Sequence, residues 1–110
     1  CEHHLLPFQG TVSVTYLPDR RLAGIGDFDT MIRVLAARPQ MQERLADQIA
    51  AVTESTLGAK GVLVRLTAEH ACMWARGERT VGATAFSVAS RGVYTVESPE
   101  RVEARALLGL

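Results

Sequence analysis

A long alternation of apolar and polar residues that begins at Gly61 constrains the fold more than any other feature of the chain. One set of alternate positions is Val62, Val64, Leu66, Ala68, His70, Cys72 and Trp74. The intervening set begins with Leu63, Arg65, Thr67 and Glu69. Because successive side chains of a β-strand point to opposite faces, this pattern predicts a long strand with one apolar face. It also predicts that His70 and Cys72 share that face and can converge on one site.

Two shorter alternations and three helical patterns complete the prediction. Strands are expected over about residues 11–16 and about Ala83 to Ala89. The first helix follows Asp27, which could cap it, and the second has Pro39 in its first turn. Their apolar faces are Phe28, Met31, Ile32 and Leu35 in the first and Met41, Leu45, Ile49, Val52 and Leu57 in the second.

The remaining helix signals decide the fold class. The second helix should stop near Gly58, and Ser98-Pro99-Glu100 is typical of the start of a third. The resulting order is strand, helix, helix, strand, strand, helix. Helices grouped between strands in this way indicate an α+β fold with a mostly antiparallel sheet.

The composition is that of a single soluble domain. The 110 residues are 47% hydrophobic and 22% charged with a net charge of zero, so neither nucleic acid nor an anionic membrane surface is expected as a partner. No apolar run approaches the roughly 20 residues of a membrane helix, and we recognise no signal peptide. We expect a cytoplasmic protein with reduced thiols, of which this chain is a fragment or processed form. A disulfide between Cys1 and Cys72 is the alternative.

Both cysteines and all three histidines fall in two short clusters, Cys1-Glu2-His3-His4 and His70-Ala71-Cys72. Thiolate and imidazole are the ligands that zinc favours. A turn or bulge would let Cys1 and His4 converge and leave His3 directed elsewhere. Three protein ligands would make a catalytic zinc site with one open position, and four would make a structural site.

A second polar group lies in the stretch Gln40-Met41-Gln42-Glu43-Arg44. A carboxylate beside an amide can recognise the edge of a purine or pterin. From the residues alone, the simpler interpretation is that glutamate near a helix start interacts with the helix dipole. Arg76 could hold an anion, although a single arginine is weak evidence.

Three ordered stretches together make the chain resemble GTP cyclohydrolase I, from Cys1 to about Leu108. They are Cys1-Glu2-His3-His4-Leu5-Leu6-Pro7-Phe8, Gln40-Met41-Gln42-Glu43-Arg44-Leu45 and Glu69-His70-Ala71-Cys72-Met73-Trp74-Ala75-Arg76-Gly77. The resemblance implies the tunnelling fold (T-fold): an antiparallel sheet with helices on one face, assembled into a toroidal homo-oligomer, typically a decamer, with active sites between subunits. It also makes residues 1–110 a catalytic domain without the family's amino-terminal helices and first strand.

The resemblance further implies which residues serve the chemistry. Zinc ligands would be Cys1, His4 and Cys72, and the residues that transfer protons would be His3 and His70.

The substrate contacts implied by the resemblance are guanine recognition by Gln42 and Glu43 and phosphate binding by Arg76. In the implied reaction, hydroxide from zinc-bound water attacks C8 of GTP, the imidazole ring opens and C8 leaves as formate. The product would be 7,8-dihydroneopterin triphosphate, in the first step of folate or tetrahydropterin synthesis.

The chain departs from the family pattern before the first helix. Where the family usually carries Gly-Leu-Ser-Lys, followed three residues later by an arginine, this chain has Gly24-Ile25-Gly26-Asp27 and Thr30. A carboxylate in place of a cation would repel a triphosphate. The alternative substrate is therefore a purine, nucleoside or monophosphate that lacks the triphosphate.

Two further alternatives change the class of protein. In a non-catalytic module, His70 or His3 would complete a closed structural zinc shell. In another tunnelling-fold enzyme, such as a cysteine-dependent nitrile reductase, a thiolate would attack and no metal would be needed.

Overall fold

The computed structural model describes residues 7–70 and 84–110. Its elements are β1 (Phe8–Leu17), α1 (Ile25–Ala36), α2 (Gln42–Leu57), β2 (Gly61–His70), β3 (Ala85–Gly92), a 3-10 helix (Val93–Thr95) and α3 (Pro99–Leu107). The three strands form one antiparallel sheet in the order β1-β2-β3. This confirms the α+β prediction, and the arrangement is compatible with the tunnelling fold.

β1 begins earlier than the alternation predicted because it pairs with β2 along its whole length. The pairing places Phe8 opposite His70, at one end of the sheet. At Gly10 the two backbones approach so closely that a Cβ atom would lie 1.8 Å from the Thr67 carbonyl oxygen. Only glycine fits such an approach without movement of the strand.

The main core lies between α2 and one face of the sheet. The alternate residues of β2 predicted to face inward are all buried there: Val62, Val64, Leu66 and Ala68. Ile49 and Ala50 of α2 are fully buried against them, and burial of apolar area on this scale is the main force that holds a domain together. The packing fixes the first turn of α2 over β2 and β3.

α3 lies on the opposite face of the sheet, so the expectation that the helices share one face is wrong for this element. A second cluster consists of Leu63, Tyr94, Ala104 and Leu108. Leu63 alternates with the core residues of β2 and therefore points to the other face. Its apolar side chain, and the bond that Arg65 Nη1 donates to the Leu108 carbonyl oxygen at 2.8 Å, hold α3 there.

Two predicted helix starts are corrected by the structure. α1 begins at Ile25 with Gly24 as its N-cap, so Asp27 is not the cap but the third helical residue, where its Oδ2 accepts the Gly24 N–H at 3.1 Å. Pro39 is not in the first turn of α2, which begins at Gln42 after Met41. Residues 37–41, which include Pro39, instead form the connection between α1 and α2.

Other helix ends agree with their sequence signals. Gly58 ends α2 with a left-handed φ of 60°, and the Ser98 hydroxyl accepts the Arg101 N–H at 3.1 Å to cap α3. No helix within residues 7–70 and 84–110 is long and apolar enough to cross a membrane.

Candidate active site

Three of the eight residues to which the sequence assigns a role in zinc binding, catalysis or substrate binding lie in the described part of the chain, and the fold brings them together at one end of the sheet. They are Gln42, Glu43 and His70. The others lie outside the described residues: Cys1, His3, His4, Cys72 and Arg76.

Gln42 is the first residue of α2, and its side chain enters the structure beneath the helix. The residue is 2% exposed. Its Nε2 donates to the carbonyl oxygens of Leu66 in β2 and Ala85 in β3, each at 3.0 Å. The amide thus joins the helix start to two neighbouring strands and satisfies backbone acceptors that would otherwise lack a partner.

His70 is the last residue of β2 and is held from two sides. Its Nε2 lies 2.5 Å from Oε1 of Gln42. The Phe8 ring stacks on the imidazole, with centroids 4.8 Å apart and planes inclined by 18°. Partial burial lowers the pKa of His70 from its usual value, and the nearby Glu43 carboxylate acts in the opposite direction.

Glu43 follows Gln42 in the first turn of α2 but points to solvent. Two adjacent residues therefore present different chemistry. One amide is buried against the sheet, and one carboxylate remains exposed at the helix start, where the dipole favours a negative charge.

The sheet register brings together the two chain segments that carry the remaining candidates. Residues 1–6 join the described structure at Pro7, next to Phe8, and residues 71–83 join it directly after His70. Phe8 and His70 are paired across the two strands. Both Cys/His clusters of the sequence therefore connect to the same end of the sheet.

Comparison with known proteins identifies the family. The GTP cyclohydrolase I family model matches residues 1–109. The chain belongs to the GTP cyclohydrolase I family.

Individual relatives agree with this assignment to the GTP cyclohydrolase I family. GTP cyclohydrolase 1 of Leifsonia xyli is 52% identical over 109 residues, which are 99% of this chain and 56% of the relative. The enzyme of Streptococcus sanguinis is 43% identical over 99% of this chain and 59% of its own length. The enzyme of Fusobacterium nucleatum is 38% identical over 98% of this chain and 58% of its own length. The chain thus spans somewhat more than half the length of these relatives.

The cysteine and histidine side chains of this GTP cyclohydrolase I family member are chemically suited to bind zinc. Within residues 7–70 and 84–110, no group of three or more histidine, cysteine, aspartate or glutamate side chains could hold a metal ion. The thiols and imidazoles of the two Cys/His clusters, which are continuous in sequence with Pro7 and with His70, are the kinds of ligand that zinc binds. The two clusters are therefore the candidate source of metal donors.

The start of α1 differs in character from the His70 end. Asp27 uses Oδ2 to accept the Gly24 N–H, Thr30 is exposed, and Ile25 is 93% exposed. Asp27 also borders a cleft of about 370 Å³ between α1 and α2 whose other walls are mostly apolar. This turn offers a carboxylate and apolar surface at the positions where the sequence resemblance led us to expect cations.

Sequence reasoning missed two features of the His70 end. It did not find that Phe8 stacks on His70, or that Gln42 contacts His70. The only available signal was that all three residues belong to stretches that resemble the family. The contacts themselves depend on the pairing of β1 with β2 and on the packing of α2, which no local pattern contains.

Proposed function

We propose that the protein to which this chain belongs is a zinc-dependent GTP cyclohydrolase I. It hydrolyses the imidazole ring of GTP, releases C8 as formate and forms 7,8-dihydroneopterin triphosphate, the first step of folate or tetrahydropterin synthesis. One observation carries this proposal beyond family membership. His70, held by Gln42 and Phe8, ends β2 at the point where the two Cys/His segments join the sheet.

In this proposal Cys1, His4 and Cys72 hold zinc. Zinc, when bound by three protein ligands, lowers the pKa of a coordinated water toward neutrality. The residues that remain, His3 and His70, are free to move protons as the purine ring opens. An imidazole suits this task because its pKa lies near the working pH.

Substrate recognition is assigned to the residues near the helix start. Glu43 is exposed, and its two oxygens can accept hydrogen bonds from the two adjacent N–H donors on the edge of guanine. Family resemblance assigns phosphate binding to Arg76. The Gln42 amide, which the resemblance also assigns to the base, is engaged with the sheet and with His70.

We also propose that residues 1–110 act as the catalytic domain of a cytoplasmic homo-oligomer, a toroid of the decameric type with active sites between subunits. In the described sheet, β1 and β3 are the outer strands. Phe86 of β3 is 65% exposed and Val88 is 42% exposed. Apolar side chains on an outer strand support an interface there.

A second candidate substrate is favoured by the start of α1. The Asp27 carboxylate already accepts the Gly24 N–H, so this turn presents a negative charge that would repel a triphosphate. The same ring-opening chemistry on a purine, a nucleoside or a monophosphate would avoid that repulsion.

The deciding experiment measures formate release from GTP and from guanosine side by side, with the zinc content of the same preparation. Faster release from GTP supports the first proposal. Preference for guanosine overturns it in favour of the second candidate. Activity that survives a strong chelator would instead support a thiolate mechanism, and zinc without any turnover would support a structural zinc module.

A further inference from the structure

The contacts of Gln42 assign it a role other than substrate recognition. We propose that Gln42 is a positioning residue that fixes the orientation and tautomer of His70, and that Glu43 alone of this pair contacts the base. This inference rests on the proposed function, because it concerns the residue that moves protons there. It gives different roles to Gln42 and Glu43, which the sequence resemblance assigns together to guanine recognition.

The orientation of the Gln42 amide follows from its partners. Its NH₂ group has two donors, and both are used by the carbonyl oxygens of Leu66 and Ala85. Rotating the amide by half a turn would bring Oε1 against those two carbonyl oxygens, which is repulsive. The hydrogen-bond network therefore determines which amide atom faces His70.

The tautomer of His70 then follows from the amide. Since Oε1 of Gln42 can only accept, Nε2 of His70 must carry the hydrogen of the 2.5 Å contact. In neutral His70 the lone pair is consequently on Nδ1, and none of the hydrogen bonds among the described residues involves Nδ1. The hydrogen bond on Nε2 thus fixes the tautomer in which Nδ1 is the acceptor nitrogen of the ring.

Phe8 completes the restraint on the ring. Its stack limits tilting of the imidazole, while the bond to Gln42 limits rotation about the bond that joins the ring to Cβ. The two contacts come from β1 and α2, so the ring is held by elements on different sides. Rigid support of this kind keeps a proton-transfer group within reach of its substrate atom.

Direct recognition of guanine by Gln42 would conflict with these contacts. To turn the buried amide toward a ligand, the protein would have to leave two backbone acceptors and the imidazole N–H without their partners. Glu43 is exposed one residue away and needs no such change. The two residues should therefore affect different kinetic constants.

The test compares Gln42→Met with Gln40→Met in the intact protein. Methionine has nearly the length and shape of glutamine but cannot accept the His70 N–H. Gln40 is a matched control because it is also 2% exposed and donates from Nε2 to a backbone carbonyl, that of Leu35, yet none of its hydrogen bonds goes to His70. Gln42→Met should lower kcat on the order of 10- to 100-fold with little change in KM for GTP, whereas Gln40→Met should leave both constants unchanged.

One further variant sharpens the outcome. Glu43→Gln should raise KM for GTP. If Gln42→Met raises KM and leaves kcat unchanged, Gln42 recognises the base directly and the proposal is wrong.

A spectroscopic readout separates this inference from the function on which it rests. Solid-state NMR of protein labelled with ¹⁵N-histidine, without substrate, should show His70 as the Nε2–H tautomer with a strong hydrogen bond, and the strong bond should be lost in Gln42→Met and kept in Gln40→Met. His70→Gln assigns the signal. A normal signal in a protein that releases no formate from any purine would overturn the proposed function while supporting the positioning role. Release of formate by a protein whose His70 has no Nε2–H hydrogen bond would support the proposed function and overturn the positioning role of Gln42.

Discussion

The His70 end of the sheet and the start of α1 are built in different ways. At the first, side chains from β1, α2 and β2 meet, and the contacts join residues far apart in the chain. At the second, Asp27 bonds to Gly24 within one exposed turn. A change at the His70 end must therefore disturb three elements, whereas a change at the α1 start disturbs one turn. This difference explains how a family member can keep the residues proposed for ring opening and still differ at the predicted phosphate end.

The largest expected effect is loss of zinc. Cys72→Ser or His4→Ala should remove most of the metal and, with it, formate release, because three protein ligands are needed for a stable catalytic site. Metal analysis and a formate assay on the same sample measure both. Asp27→Asn serves as the control and should keep its zinc. If it loses zinc as well, the two regions are not independent.

The next effect separates acid–base catalysis from metal binding. His70→Ala should keep zinc while kcat falls by about 10²- to 10⁴-fold, the usual contribution of a positioned proton-transfer group. Steady-state kinetics with metal analysis provide the measurement. Normal turnover in this variant would show that His70 does not transfer the proton.

A smaller effect is expected at the α1 start. Asp27→Lys should raise kcat/KM for GTP relative to guanosine by about tenfold, which corresponds to ~1.4 kcal/mol, because a cation replaces a carboxylate. Asp29→Lys is the matched control, since it makes the same charge change in the same helix, at an exposed residue paired with Arg33. An equal gain in both variants would indicate general attraction of the triphosphate and no specific contact at position 27.

The smallest effect concerns stability. Asp27→Asn should lower the free energy of unfolding by only about 0.3–1 kcal/mol, since it removes a charge from an exposed helix start. Gln42→Met should cost more, about 1–3 kcal/mol, because it leaves buried carbonyl groups without a donor. Urea unfolding of the two variants measures the difference. If Asp27→Asn costs more than Gln42→Met, the α1 start is not the local feature described above.

Much of the local structure could be predicted from the residues. The alternation after Gly61 predicted β2 and its buried face, Gly58 predicted the end of α2, and Ser98 predicted the cap of α3. The predicted start of α1 was wrong because an aspartate can serve either as the N-cap or as the third helical residue, whose side chain accepts the N–H of the N-cap residue. The sequence contained both options, and only the position of Gly24 distinguishes them.

The ordered motifs of the chain are enough to place it in the GTP cyclohydrolase I family, and periodicity is enough to put His70 on the apolar face of a strand. Both are local properties, because the direction of a side chain depends on its position within one element. The tertiary structure decided that Phe8 pairs with His70, that the Gln42 amide lies beneath α2 and that α3 crosses to the other face of the sheet. These contacts join distant elements, and the packing of whole faces against one another selects them.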